Sequence, residues 1–259
     1  MTATLPVFLL LFVAAFLGGA LNSVAGGGSF LTFPSLIVSG VPPINANATS
    51  SVALWPGTIA SVSAYRREFA RLQRSLIVVM ALVSFVGGFL GAILLLHTPQ
   101  ATFARMIPYL LLAATVLFAF GPSVTRYFRG RHPEGAGHAR TSLALVAVLQ
   151  LVIALYGGFF GGGIGILMLA TLGLTGMENI HEMNALKTLL ASCINGMAVV
   201  TFVVAGAVFW TQAVVMIVGA IIGGYGGAYY ARKLNPSLVR TFVICVGVAM
   251  TAYFFVRAA

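Results

Sequence analysis

The sequence predicts an all-α polytopic membrane protein of about ten transmembrane segments, built as two inverted five-segment repeats with glycine-broken short helices. Three observations predict it. The 259 residues are 60% hydrophobic and only 7% charged, whereas a soluble domain is about 45–50% apolar and about 25% charged. Apolar runs of membrane length recur along the whole chain. Glycine-rich and polar motifs then recur in the same order about 135 residues apart.

The same numbers exclude a soluble fold, a disordered chain and a disulfide scaffold. The net charge is +10, but 12 of the 14 basic residues are Arg and most gather in three short loops. That is how a polytopic protein places its topology signals, so the expected partner is the lipid bilayer and not nucleic acid. The chain holds no Asp and only Glu68, Glu134, Glu178 and Glu182. Magnesium-dependent prenyl or phosphoryl transfer, which needs paired carboxylates, has no residues to use. Cys193 and Cys245 sit in apolar runs without CxxC spacing and read as packing residues. No metal, no cofactor and no catalytic residue is expected, and nothing in the motifs speaks to an oligomer.

In chain order, residues 5–25 read as a first span rather than a cleaved signal peptide, because no basic n-region precedes them. Further apolar stretches fall at 28–39, 46–65, 75–97 and 102–121, and again at 141–160, 164–175, 185–209, 212–231 and 238–256. Two of them, 28–39 and 164–175, are too short to cross as ordinary helices. A glycine triplet precedes each: Gly26-Gly27-Gly28 and Gly161-Gly162-Gly163. Broken membrane helices are tolerated where protein or a polar cavity covers the freed backbone.

The two triplets are the first of four collinear matches. Asn47-Ala48-Thr49-Ser50-Ser51 pairs with Asn184-Ala185-Leu186-Lys187-Thr188, Gly87-Gly88-Phe89-Leu90-Gly91-Ala92 with Gly223-Gly224-Tyr225-Gly226-Gly227-Ala228, and Arg105 with Arg240. This divides one integrated transport domain into a first repeat at 1–122, a cytoplasmic linker at 123–140 and a second repeat at 141–259. Arginine then sets the orientation. Residues 66–74, 126–140 and 232–233 carry the basic clusters and are expected in the cytoplasm, while the uncharged turns at 98–101 and 208–213 suit the outside. Ten crossings with both termini outside satisfy this pattern. Five per half is odd, so the halves are inverted. If both short stretches were re-entrant and eight segments spanned, Arg232 and Lys233 would fall on the wrong side.

Repeated broken helices around a centre are the architecture of a transporter with a midplane site. Free N–H groups after Gly27-Gly28-Ser29 and Gly162-Gly163, at the positive ends of the following helices, suit an anion; the same glycines also suit close helix packing. The first polar cluster, Asn45, Asn47, Thr49, Ser50 and Ser51, opens a helix started by Pro42-Pro43. Asn45 or Asn47 can cap that helix, and Asn47, Ser50 and Ser51 share a face. In the matching cluster His181, Asn184, Lys187 and Thr188 lie on roughly one face. Lys187 is one of two lysines and the one flanked by apolar helix; an ionisable residue in a span marks function by default, with snorkelling or pairing with Glu182 as the structural alternative. His181 and Glu182 are the proton-relay candidates; the helix offers no second His four residues on, against a metal site. Asn195 continues the Lys187 helix, and Trp55 and Trp210 read as interfacial anchors.

These motifs carry a resemblance. Gly26-Gly27-Gly28-Ser29-Phe30-Leu31-Thr32-Phe33-Pro34, the Asn45–Ser51 cluster and Gly158-Phe159-Phe160-Gly161-Gly162-Gly163 resemble the sulfite exporter TauE/SafE family of membrane transporters, over nearly the whole chain. The resemblance implies export of a sulfur-containing anion such as sulfite, sulfoacetate or a related organosulfonate, through the cell inner membrane. It implies an ion gradient, protons or sodium, as the drive rather than ATP. In that reading Lys187 and the backbone after both triplets neutralise a small anionic substrate, and Asn45, Asn47, Ser50, Ser51, Asn184, Thr188 and Asn195 orient it by alternating access. An anion channel is the alternative within the class. An intramembrane enzyme using Ser29 is the alternative outside it, and no base stands near that serine in sequence.

Overall fold

In the computed structural model, which describes residues 5–24, 27–70, 72–129, 143–173, 177, 179–231 and 236–258, all regular structure among the described residues is helical. The first half contains α1 (Leu5–Val24), α2 (Ser29–Val38), α3 (Pro43–Ala64), the single turn α4 (Arg66–Phe69), α5 (Arg74–His97) and α6 (Gln100–Arg129). The second contains α7 (Leu143–Phe159), α8 (Ile164–Gly173), α9 (Ile180–Val204), α10 (Trp210–Ala231) and α11 (Pro236–Ala258). The basic run after α3 thus winds a turn of helix, and α6 continues into the stretch expected as linker. Gly26, Glu134, Glu178, Arg131, Arg140, Arg232 and Lys233 lie outside the described residues.

Helix is the form in which an apolar segment satisfies its own backbone in a bilayer. Residues 5–22, 74–97, 100–121 and 181–204 are long and apolar enough to cross unaided. α2 and α8 have 10 residues each, a rise of about 15 Å against a hydrocarbon core of about 30 Å. Contacts show where they sit. α3 and α9 are antiparallel, since Asn45 reaches Ala207 beyond the end of α9 while Trp55 reaches Ser192 midway along it. Gly28 abuts Gly18 and Leu54, at the middle of α3. α2 therefore starts at mid-depth and ends beside the start of α3, where the Val41 N–H bonds the Leu36 carbonyl. Gly157, just before the second break, faces Ile164 and Ile194 at the middle of α9. α8 starts there and runs towards the start of α9. The two half-length helices leave mid-depth for opposite faces.

Small residues let the long helices close. α1 packs along α10 and α5 along α7. Gly19 meets the Ala220 backbone, Gly223 the Phe16 carbonyl, Gly91 the Leu155 carbonyl and Gly158 the Gly88 backbone; a Cβ at any of the four would overlap main chain. This is how helices associate where lipid supplies no hydrophobic drive. Buried Gln150 donates to buried Ser84 at 2.8 Å across the α5–α7 seam. α3 and α9 occupy the centre, packed on each other and on α10 and α5 respectively. α6 and α11 pack together and cover the breaks: Ala114 and Leu117 lie against Gly162 and Gly163, and Val243 against Gly27. Leu9, Leu82, Tyr109, Val152, Ile221 and Val248 point outward, an apolar girdle far larger than a soluble surface carries and the one a lipid contact requires.

Candidate functional site

A cavity of about 310 Å³ opens where the two glycine breaks meet α3 and α9. On α3, Ser51, Trp55, Thr58 and Ser61 line it, with Tyr65 just past the helix end, a 3–4 spacing that puts the four helical residues on one face. On α9, Asn184, Lys187, Thr188, Ala191 and Asn195 do the same from the opposite side. Asn22, near the end of α1, adds an amide that donates to Thr58 at 3.4 Å.

Each break contributes backbone. In the second, Gly161 and Gly163 have φ of +83° and +78°, a region side chains with a Cβ rarely adopt. The Tyr156 hydroxyl donates to the Gly162 carbonyl at 2.8 Å, and the N–H groups of Phe160 and Gly161 bond the Tyr156 carbonyl. The α8 ladder begins with Ile166 N–H to Gly163 O, so the N–H groups just before it precede the ladder. The α2 ladder begins with Phe30 N–H to Gly27 O. Gly27, Ser29, Gly162 and Gly163 all line the cavity, which receives the partial positive charge of two helix starts.

Lys187 is the one formal charge among the described lining residues. Its Nζ donates to Asn184 Oδ1 at 3.1 Å. Its stem crosses Gly165, where a Cβ would stand 3.4 Å from the lysine Cδ. Phe30, Phe118 and Phe160 close the cavity with rings, and the Trp55 indole lies over Gly196 and donates to the Ser192 carbonyl at 3.3 Å. A cation, two helix starts, hydroxyls and amides beside aromatic walls can hold a small anion.

Of the residues singled out in sequence, the structure brings Gly27, Ser29, Ser51, Gly162, Gly163, Asn184, Lys187, Thr188 and Asn195 to this cavity. The other candidate binding and proton-relay residues lie elsewhere. Gly28 packs against Gly18. Asn45 donates to Ala207 O at 2.8 Å, buried Asn47 donates to Phe159 O at 3.2 Å, and the Ser50 and Thr32 hydroxyls hydrogen-bond at 2.6 Å. No Asn caps α3: its first turn is held by Gln100, which accepts from Ile44 N–H at 3.0 Å and donates to Asn45 at 3.1 Å. His181 is exposed at the start of α9, and Glu182 accepts from Asn179 at 3.2 Å. Thr58, Ser61, Tyr65 and Gly165 were not singled out, and Gly161 was read only as part of its triplet. The α3 residues were legible as continuations of the Ser51 face. Trp55, read as an interfacial anchor, is a cavity wall, because its helix lies at the centre of the bundle.

The model of the family described as sulfite exporter TauE/SafE matches residues 11–254. The chain belongs to the sulfite exporter TauE/SafE family. It is 30% identical over 243 residues to the probable membrane transporter protein ORF9 of Sinorhizobium sp, covering 93% of this chain and 89% of that one. It is 29% identical to a probable membrane transporter protein of Haemophilus influenzae, over 94% and 92% of the two chains, and 29% identical to YfcA of Escherichia coli K12, named likewise, over 93% and 87%. No solved structure matches it significantly. This TauE/SafE protein is a multi-pass membrane transporter, as its family and its apolar helices together show.

Proposed function

We propose that this TauE/SafE protein is a secondary transporter of the inner (cytoplasmic) membrane that exports a small sulfur-containing anion, sulfite, sulfoacetate or a related organosulfonate, by ion-coupled alternating access. The observation that carries this is the single ammonium of Lys187 in a cavity that also receives two helix starts. Lys187 and the backbone after the breaks neutralise the anion. Ser29, Ser51, Asn184, Thr188 and Asn195 orient it. Asn45, Asn47, Ser50 and Gly28 hold the helices that carry those groups. His181 and Glu182, at the end of α9 that faces α4, exchange the coupled proton at the mouth.

Inverted repeats support alternating access, and the packing supports the repeats. Matching α1 with α7, α2 with α8, α3 with α9, α5 with α10 and α6 with α11 turns the α1–α10 seam into α7–α5 and the α3–α10 seam into α9–α5. The central α3–α9 and outer α6–α11 contacts map onto themselves. We place the two repeats at 1–122 and 141–259, with α6 running on into the linker between them.

The lining runs to Tyr65, beside the basic residues at 66–74, so by the positive-inside rule this cavity faces the cytoplasm. On the opposite side Asn45 with Ala207, and Thr49 with the Phe209 N–H at 3.1 Å, join α3 to the connection between α9 and α10. Phe33, Phe103, Phe159 and Phe160 interlock there with ring centroids 5.7–6.4 Å apart. The experiment is transport of sulfite and sulfoacetate in liposomes, with and without an imposed proton or sodium gradient. Accumulation against the anion's own gradient is expected. Gradient-independent flux would make the protein a channel, and no flux of either anion would overturn the substrate class.

A further inference from the structure

Asn47 and Asn184 are matched by the repeat, yet they do different things. Asn47, buried on α3, donates to the carbonyl of Phe159, the last residue of α7, two residues before the second glycine triplet. One half therefore grips the helix break of the other. The matched grip would join Asn184 to Val24, the last residue of α1, two residues before the first triplet. Instead Asn184 accepts from Lys187 on its own helix. Equivalent residues in unequal arrangements are what an inverted-repeat transporter shows when caught on one side of its cycle.

Resting on the alternating-access reading above, we propose that Asn47 and Asn184 are reciprocal latches and therefore positioning residues for transport. In the inward-facing state Asn47 holds the Phe159 carbonyl. In the outward-facing state Asn47 lets go and the Asn184 amide takes the Val24 carbonyl. Both acceptors end a helix, where the last carbonyls have no partner in their own ladder, so each latch satisfies a group that the break exposes. The switch also reorients the Asn184 amide beside Lys187, which ties the ammonium's surroundings to the state of the latch. The same pairing names the surface that opens. Ser61 lines the present cavity, and its match, spaced as Asn184 is from Asn47, is Ala198, now 2% exposed.

The test uses the full-length transporter in native membrane vesicles, with Cys193→Ala and Cys245→Ala removing the background thiols. Single reporters are Ser61→Cys, probed with a membrane-impermeant maleimide from the cytoplasmic side, and Ala198→Cys, probed from the outside. Leucine keeps the heavy-atom count and branching of asparagine and deletes the donor. Asn47→Leu is expected to speed outside labelling at Ala198→Cys and slow cytoplasmic labelling at Ser61→Cys, the ratio of the two rates changing about fivefold for one lost hydrogen bond. Asn184→Leu is expected to do the opposite. Should the leucine variants fail to insert, the double substitution Val24→Cys with Asn184→Cys, oxidised in membranes, is expected to cross-link and stop transport until reduced. Shifts in the same direction, no shift, or no cross-link would overturn the latch. If Ala198→Cys is never labelled from outside in any variant, the protein does not alternate, and the alternating-access reading itself fails.

Discussion

The Nζ of Lys187 lies 3.1 Å from Oδ1 of Asn184, one turn back on α9, inside the cavity where the two broken helices begin. An ammonium donates three hydrogen bonds, so this partner leaves donors for a ligand. A side chain that merely snorkelled would point its amine to the interface.

Lys187→Ala is expected to lower transport by about ten- to a hundredfold or more, since a charge-assisted contact in a sheltered site is worth about 1.5–3 kcal/mol and the cavity loses its formal charge as well. Lys187→Arg is expected to keep only part of the rate, because a planar fork does not replace a compact ammonium. Initial rates in liposomes at matched protein levels decide it. Near-normal transport by Lys187→Ala would mean the lysine plays no part in binding.

Gly165 lets the Lys187 stem cross α8. Gly165→Ala puts a methyl in ordinary contact with Cδ and is expected to be tolerated. Gly165→Leu must displace the lysine, and it should raise the apparent KM for the anion about tenfold or more while the protein still inserts, by loss of about one charged hydrogen bond. Equal transport by both variants would show that the position of the stem does not matter.

The glycine seams make a separate prediction about folding. Gly158→Val and Gly223→Val each push side-chain atoms into a facing backbone, and overpacking costs about 1–3 kcal/mol or more. Both should lower the midpoint of thermal unfolding in detergent. Gly57→Ala, in open space, is the control expected to change it little.

Orientation can be read directly. Ala70→Cys, in the background free of Cys193 and Cys245, should react with an impermeant maleimide from the cytoplasmic side, and Thr98→Cys from the outside. Ala70 is exposed, and Thr98 is half-buried just past the end of α5. The reverse pattern would turn the cavity to the outside.

Much of this was legible along the chain. Composition gave the membrane, since 7% charge cannot clothe a soluble fold. The glycine triplets and polar clusters gave the breaks and the two central helices, because a polar residue in lipid needs a protein or water partner wherever it falls. Lys187 stood out for the same reason.

What the sequence determined by itself was therefore everything set by the solvent: which segments are apolar, where they break, which face of α9 is polar, and which loops carry arginine. What only the tertiary structure decided was which polar groups face the cavity and which face a neighbouring backbone. Asn47 and Ser51 lie in one cluster, yet Asn47 is spent on the Phe159 carbonyl while Ser51 lines the cavity. Trp55 looked like an anchor and is a wall. Helical periodicity places a side chain on a face, but the neighbour across that face comes from residues more than a hundred positions away, and an unsatisfied carbonyl at a helix break claims whichever donor the packing brings to it.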